Sequence, residues 1–280
     1  LYGFFPVLVR LIGFQLPLYF QTGMRVLMVA LIGAAIIFFA RGWKRVGGRD
    51  FALIFLRSTL GSVAMVVLFI TVNYIKVSTF YFLLFAAIVI SGYIIGRFWF
   101  QEKLNKEKIV SLILAIVGLA LVYSLAIGKE NWFYAVLTVG GGIFSGFWNT
   151  SVKKLSHLSP LQLCFLDNLI AAITVLIISL AIKETWIMPT LTIAWAANLA
   201  LAVMYVLSGY LIPYGFNRLE AQTGSLLLLV EVPWAICLAF LFYRETISFS
   251  SLMGGILIIF AAAWPQIISL KKARGLNKHI

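Results

Sequence analysis

Apolar residues run through this chain in stretches of about twenty, the length a helix needs to cross the ~30 Å hydrocarbon core of a bilayer, and short polar or charged clusters separate them. Read against those clusters, the runs predict helices over residues 1–14, 17–40, 51–74, 77–99, 107–127, 131–152, 159–182, 190–213, 221–242 and 249–270. Pro17 and Pro160 fall at helix starts, where a missing N–H costs no intrahelical bond. The chain opens on Leu1 and is apolar at once, so a short preceding segment is expected to complete the first helix. It shows no pattern of a cleavable signal peptide. The expected fold class is an all-α integral membrane protein with ten transmembrane helices.

Composition agrees. Hydrophobic residues make up 62% of the 280 positions and charged residues 11%, whereas a soluble domain carries roughly 25% charge. The net charge of +13 does not point to nucleic acid, because the Lys and Arg residues sit in short clusters between apolar runs, as orientation signals do. With the N-terminus inside, fifteen Lys and Arg residues fall on the cytoplasmic side, and only Lys76, Lys129, Lys183 and Arg244 on the other. Both termini are therefore expected in the cytoplasm. The short loops and short tail fit a bacterial cytoplasmic (inner) membrane. Cys164 and Cys237 lie inside apolar runs without metal-ligand spacing, so no metal site is expected.

The chain also matches itself. A displacement of 143 positions brings Gly3-Phe4 onto Gly146-Phe147, Pro17 onto Pro160 and Glu102 onto Glu245; one further residue brings Asn73 onto Asn217. These matches divide the chain into five-helix units at 1–128 and 129–280. An odd number of spans forces the second unit into the membrane upside down, and the charges agree. RGWKRVGGRD carries four basic residues where its counterpart IKETWIMPT carries one, and FQEKLNKEK is lysine-rich where YRETISFSS has only Arg244. GFQLP is uncharged where KKLSHLSP has two lysines. Inverted-topology repeats are the architecture of secondary transporters, with a site near the midplane.

The segments FWFQEK (98–103), LFYRET (241–246) and VEVPWAICLAFLFYRE (230–245) resemble the drug/metabolite transporter superfamily, in its ten-helix type with two EamA-like repeats. Two positions depart from that pattern. A valine separates Glu231 from Pro233, and Gln101 and Arg244 stand where a glycine usually precedes each end glutamate. The resemblance implies a permease for small metabolites and no enzyme. Amino acids or related amines are the expected cargo, with a choline-like or polyamine cation as the alternative, and a lipid flippase or receptor on the same scaffold as another.

Glu231 lies near the middle of the run 221–242, where a carboxylate is expensive. It either binds a proton or a cationic substrate group in a central cavity or braces helix packing through hydrogen bonds. Asn73, Tyr81, Trp148, Asn149, Tyr205 and Trp234 are the other expected substrate-binding residues, all polar or aromatic and deep in apolar runs. Tyr74, Tyr210 and Tyr214 share that pattern. Trp148 and Asn149 follow the glycine-rich GGGIFSGFWN, where close helix approach leaves larger side chains to project into the gap. Arg25 sits roughly 12 Å inside its helix, while Arg57 and Asp167 share a depth at which they either pair or snorkel toward the cytoplasmic surface. Gly92-x-x-x-Gly96 and Gly142-x-x-x-Gly146 permit close helix contact, within one chain or between two, so a monomer and a homodimer both remain open. No phosphate-binding glycine loop, nucleophile triad or metal cluster is present. The expected partners are thus a small-molecule substrate, membrane lipids and a coupling proton, without cofactor.

Overall fold

The computed structural model describes residues 8, 11–12, 15–40, 42–71, 74–123, 131–244 and 247–276. All regular structure among them is helical: α1 (Leu18–Ala40), α2 (Gly48–Thr71), α3 (Val77–Phe98), α4 (Lys106–Val122), α5 (Trp132–Ser151), α6 (Pro160–Ala181), α7 (Ile193–Phe216), α8 (Ala221–Leu228), α9 (Glu231–Tyr243) and α10 (Phe249–Leu276). Among the described residues seven helices, α8 and α9 counted as one run, are long and apolar enough to span a membrane. Two more helices fall short for visible reasons. The 17 residues of α4 open on Lys106-Glu107-Lys108, and α5 is diluted by Gly140, Gly141, Gly142, Ser145 and Asn149. The helix expected over 1–14 lies outside the described residues apart from residues 8, 11 and 12, which are helical.

Two expected segments need correction. The helix placed over 190–213 runs over Ile193–Phe216, because the Thr192 hydroxyl caps the Trp195 amide and Pro213 is absorbed without ending the helix. The continuous helix expected over 221–242 is interrupted at Leu229 and Val230. Pro233 has no N–H to give the Leu229 carbonyl, and its ring crowds it. The chain responds by tightening: the amides of Leu229, Val230 and Val232 donate three residues back, to the carbonyls of Leu226, Leu227 and Leu229.

The chain forms two compact units, Leu1–Val67 with Ser151–Arg218, and Leu68–Thr150 with Leu219–Ile280. In the first, α1 packs along α6, with α7 against both. Ile12, Leu16, Phe20, Trp195 and Leu201 are its core, and Gly209 lets α7 approach Cys164, whose sulfur a Cβ there would meet at 2.4 Å.

In the second unit, α4 packs along α10 and α3 packs against α8. Its core includes Val89, Tyr93, Leu119, Leu226, Val232 and Ile258. The α4–α10 contact is backbone on backbone: a Cβ on Gly118 would lie 2.8 Å from the Gly254 carbonyl oxygen, and one on Gly254 2.5 Å from that of Gly118. Backbone cannot swing aside, so Gly254→Ala should cost about 1–3 kcal/mol by overpacking, read as a lowered Tm in detergent. Both small-residue spacings are used inside this unit. Gly142 and Gly146 seat α5 on the Leu84 and Ile88 carbonyls of α3, and Gly92 and Gly96 admit Ser225, Gln222 and Glu102. Elsewhere the helices turn large apolar side chains outward, among them Phe38, Phe39, Phe98 and Leu241, as a lipid-facing surface does.

Candidate functional site

The interruption between α8 and α9 makes Glu231 the first residue of a new helical segment. A helix start carries partial positive charge, so a carboxylate is better placed there than inside an unbroken helix. Its neighbour Val232 belongs to a core cluster against which Phe85 on α3 and Tyr123, just past the end of α4, pack. Tyr81 stacks on Tyr123 with ring centroids 5.8 Å apart and on Phe85 at 6.1 Å, both within 19° of parallel. A carboxylate beside a stack of three electron-rich rings attracts an organic cation in two ways, by charge and through the ring faces.

The other expected substrate-binding residues divide. Trp148 and Asn149 are half-buried on α5, one turn beyond the glycines seated on α3. Trp234 shares α9 with Glu231 and is exposed. Tyr205 belongs to the first unit, where its ring lies 5.9 Å beneath the Arg25 guanidinium. Asn73 lies outside the described residues. Sequence reading missed Phe85 and Tyr123, although the i, i+4 spacing of Tyr81 and Phe85 puts both on one helix face.

Buried charge elsewhere is consumed by structure. Arg25 Nε donates to Asn198 Oδ1 at 2.9 Å, and Asn198 Nδ2 to the Gln21 carbonyl at 3.1 Å. Arg57 pairs with Asp167 and donates from Nε to Ser151 Oγ at 3.0 Å, while Ser58 Oγ donates to the second Asp167 oxygen at 2.6 Å. These networks tie helices of the first unit together.

Gln101, Lys183 and Arg244 are the described non-glycine residues with positive φ, at 56°, 59° and 54°. Each ends a helix and precedes a glutamate. At Gln101 and Lys183 the left-handed residue turns the chain so that the next carboxylate reaches another helix start. Glu102 accepts from the amides of Ala221 and Gln222 at 2.6 and 3.1 Å, capping α8. Glu184 accepts from Tyr19 and Phe20 at 3.1 and 2.7 Å, capping α1. The missing glycines are thus explained: Gln101 and Arg244 adopt the glycine conformation at a steric cost. Lys183→Gly should relieve it and raise stability by about 1 kcal/mol, measured as a Tm increase.

The model of the EamA-like transporter family matches the chain twice, over residues 1–124 and 132–264. No curated protein matches the sequence. A crystal structure of a protein 13% identical to this chain shares its fold, with a TM-score of 0.82 over 96% of this chain and 95% of that one.

Proposed function

Because the chain belongs to the EamA-like transporter family, whose members carry small molecules across membranes, we propose that it moves organic metabolites bearing an amino or ammonium group, amino acids and related amines foremost. The observation that carries this reading is Glu231, set at a helix interruption whose next residue, Val232, packs in one cluster with Phe85 and Tyr123 of the Tyr81–Phe85–Tyr123 stack. The same stack suits a quaternary, choline-like ammonium through cation–π attraction. Interrupted helices near the midplane are how transporters expose polar groups to cargo inside a bilayer.

The working architecture is ten spans in two inverted repeats, 1–128 and 129–280, with both termini in the cytoplasm of a bacterial inner membrane, alternating access between its two faces. Helix pairing supports the repeat. The 143-residue displacement relates α1 to α6, α3 to α8 and α4 to α10, and within the compact units these partners pack on one another, as elements around a two-fold axis do. The glycine faces that would serve a dimer are occupied within the chain, which favours a monomer. A proton competing with the cation for Glu231 would supply the coupling.

The test is a thermal-shift panel on the purified protein, with amino acids, quaternary amines, polyamines, sugars and nucleotides. Stabilisation by an amine-bearing class is expected, followed by uptake of that class into proteoliposomes. Stabilisation by sugars or nucleotides alone would overturn the cationic cargo while leaving a transporter.

A further inference from the structure

The first compact unit holds a cavity of ≈ 420 Å³ that the proposed transport site does not use. It opens where three helices end: just after α1, just before α6, and over the last turns of α7. Among the described residues its lining includes two cations, Lys44 and Arg218, and no carboxylate. Asp50, the acid of the neighbouring segment, is held by His157 Nε2 at 2.9 Å.

The cations are held in place with capacity to spare. Lys44 Nζ donates to the His157 carbonyl at 2.6 Å, one of the three donors an ammonium offers. The Arg218 guanidinium lies 3.6 Å above the Tyr214 ring and donates from Nη1 to the Tyr214 carbonyl at 3.3 Å, leaving further N–H groups of its five. Ser159 and Asn217 add polar atoms to the wall.

The surroundings define what reaches this cavity. Trp43, next to Lys44, is half-exposed and packs edge-on to Phe165, as tryptophans do at the membrane–water interface. Along α7, Leu207, Tyr210, Leu211 and Tyr214 remain exposed, and Phe38 and Phe39 protrude at the end of α1. A cationic, acid-free recess at the end of apolar, lipid-facing helices suits a molecule with an anionic head and hydrocarbon tails.

We propose that this cavity binds the phosphate-bearing headgroup of an anionic phospholipid, with Lys44 and Arg218 neutralising the phosphate and the acyl chains lying along the outer surface of α7. The site sits on the face that the charge pattern assigns to the cytoplasm, where anionic lipid attracts basic residues.

The test titrates the purified full chain in detergent with short-chain phosphatidylglycerol, phosphatidylcholine or inorganic phosphate, reading bound lipid by native mass spectrometry and Tm in parallel. Phosphatidylglycerol should bind and raise Tm, with phosphatidylcholine weaker. Lys44→Gln and Arg218→Gln should each weaken phosphatidylglycerol binding about fivefold, and the double variant about 25-fold, since a basic residue near an anionic surface contributes about 1 kcal/mol. Arg218→Lys should retain binding, and an unchanged lipid-free Tm shows that each variant is folded. Lys103→Gln/Lys106→Gln removes the same charge from the second unit and should leave affinity intact. Equal losses in that control, or unchanged binding in the cavity variant, would overturn the site. Free phosphate binding as tightly as the lipid would overturn the lipid assignment and leave a soluble phosphate ester as the ligand.

Discussion

Asp167→Asn should lower the stability of the purified protein by about 3–5 kcal/mol, a fall in Tm on the order of 10 °C. Arg57 is 2% exposed and Asp167 6%, so neither charge reaches water when its partner is removed. Asparagine keeps the shape and still accepts the Ser58 hydroxyl, but it leaves the guanidinium without a counter-charge. The loss is therefore a measure of uncompensated charge, not of a missing contact. Arg57→Met/Asp167→Leu removes both charges and should recover most of the stability, since a buried pair exchanged for apolar residues of similar volume is often neutral. A double variant as unstable as the single one would show that the hydrogen bonds of the Ser58 and Ser151 hydroxyls to this pair, removed by the exchange, matter more than the charges. Because the pair joins α2 to α6 within one unit, the expected readout is folding and expression rather than substrate choice.

This pair was legible in the sequence because depth is. Counting residues from the ends of apolar runs puts Arg57 and Asp167 at one level, which leaves pairing and snorkelling toward the cytoplasmic surface both open until the structure joins them. Depth does not reveal azimuth. Depth places Arg25 well inside its helix, yet nothing in its neighbourhood of sequence shows that Asn198 and Tyr205, more than 170 positions away, converge on it. Tyr205 looked like a cavity residue for the same reason: an aromatic deep in a helix reads alike whether it faces cargo or a buried arginine.

Backbone geometry was half legible. Gln101 and Arg244 stood out where the family pattern has glycine, and the structure gives the reason in their left-handed conformation. The third instance, Lys183-Glu184, was hidden in a loop that reads as plain punctuation, since lysine is no signal for positive φ. Pro233 was visible inside an apolar run, but the run continues on both sides and hydropathy alone draws one helix through it. The interruption follows from the missing N–H, a property that a hydropathy profile does not weigh.

Glu231→Gln should abolish the stabilisation of the protein by its amine-bearing ligand while changing the ligand-free protein little. At a hundred times its dissociation constant a ligand raises stability by about 2.7 kcal/mol, and that increment is what the variant loses. The residual cost follows from the helix start: a carboxylate at the first turn of α9 contributes roughly 0.3–1 kcal/mol against the helix dipole. The two magnitudes separate the two roles open to this residue. A large loss without ligand, with the ligand-induced shift preserved, would make Glu231 a brace for the interrupted helix and remove it from the site. Tyr81→Leu should act in the same direction more weakly, costing about 1–2 kcal/mol of binding if the ring face meets the cation. The pH dependence follows from competition for one carboxylate, because a proton on Glu231 removes the charge that holds the ammonium. Ligand stabilisation of the native protein should therefore fall as pH falls, and the Gln variant should show no such dependence. A native protein whose ligand shift stays constant from acid to neutral pH would detach proton coupling from Glu231.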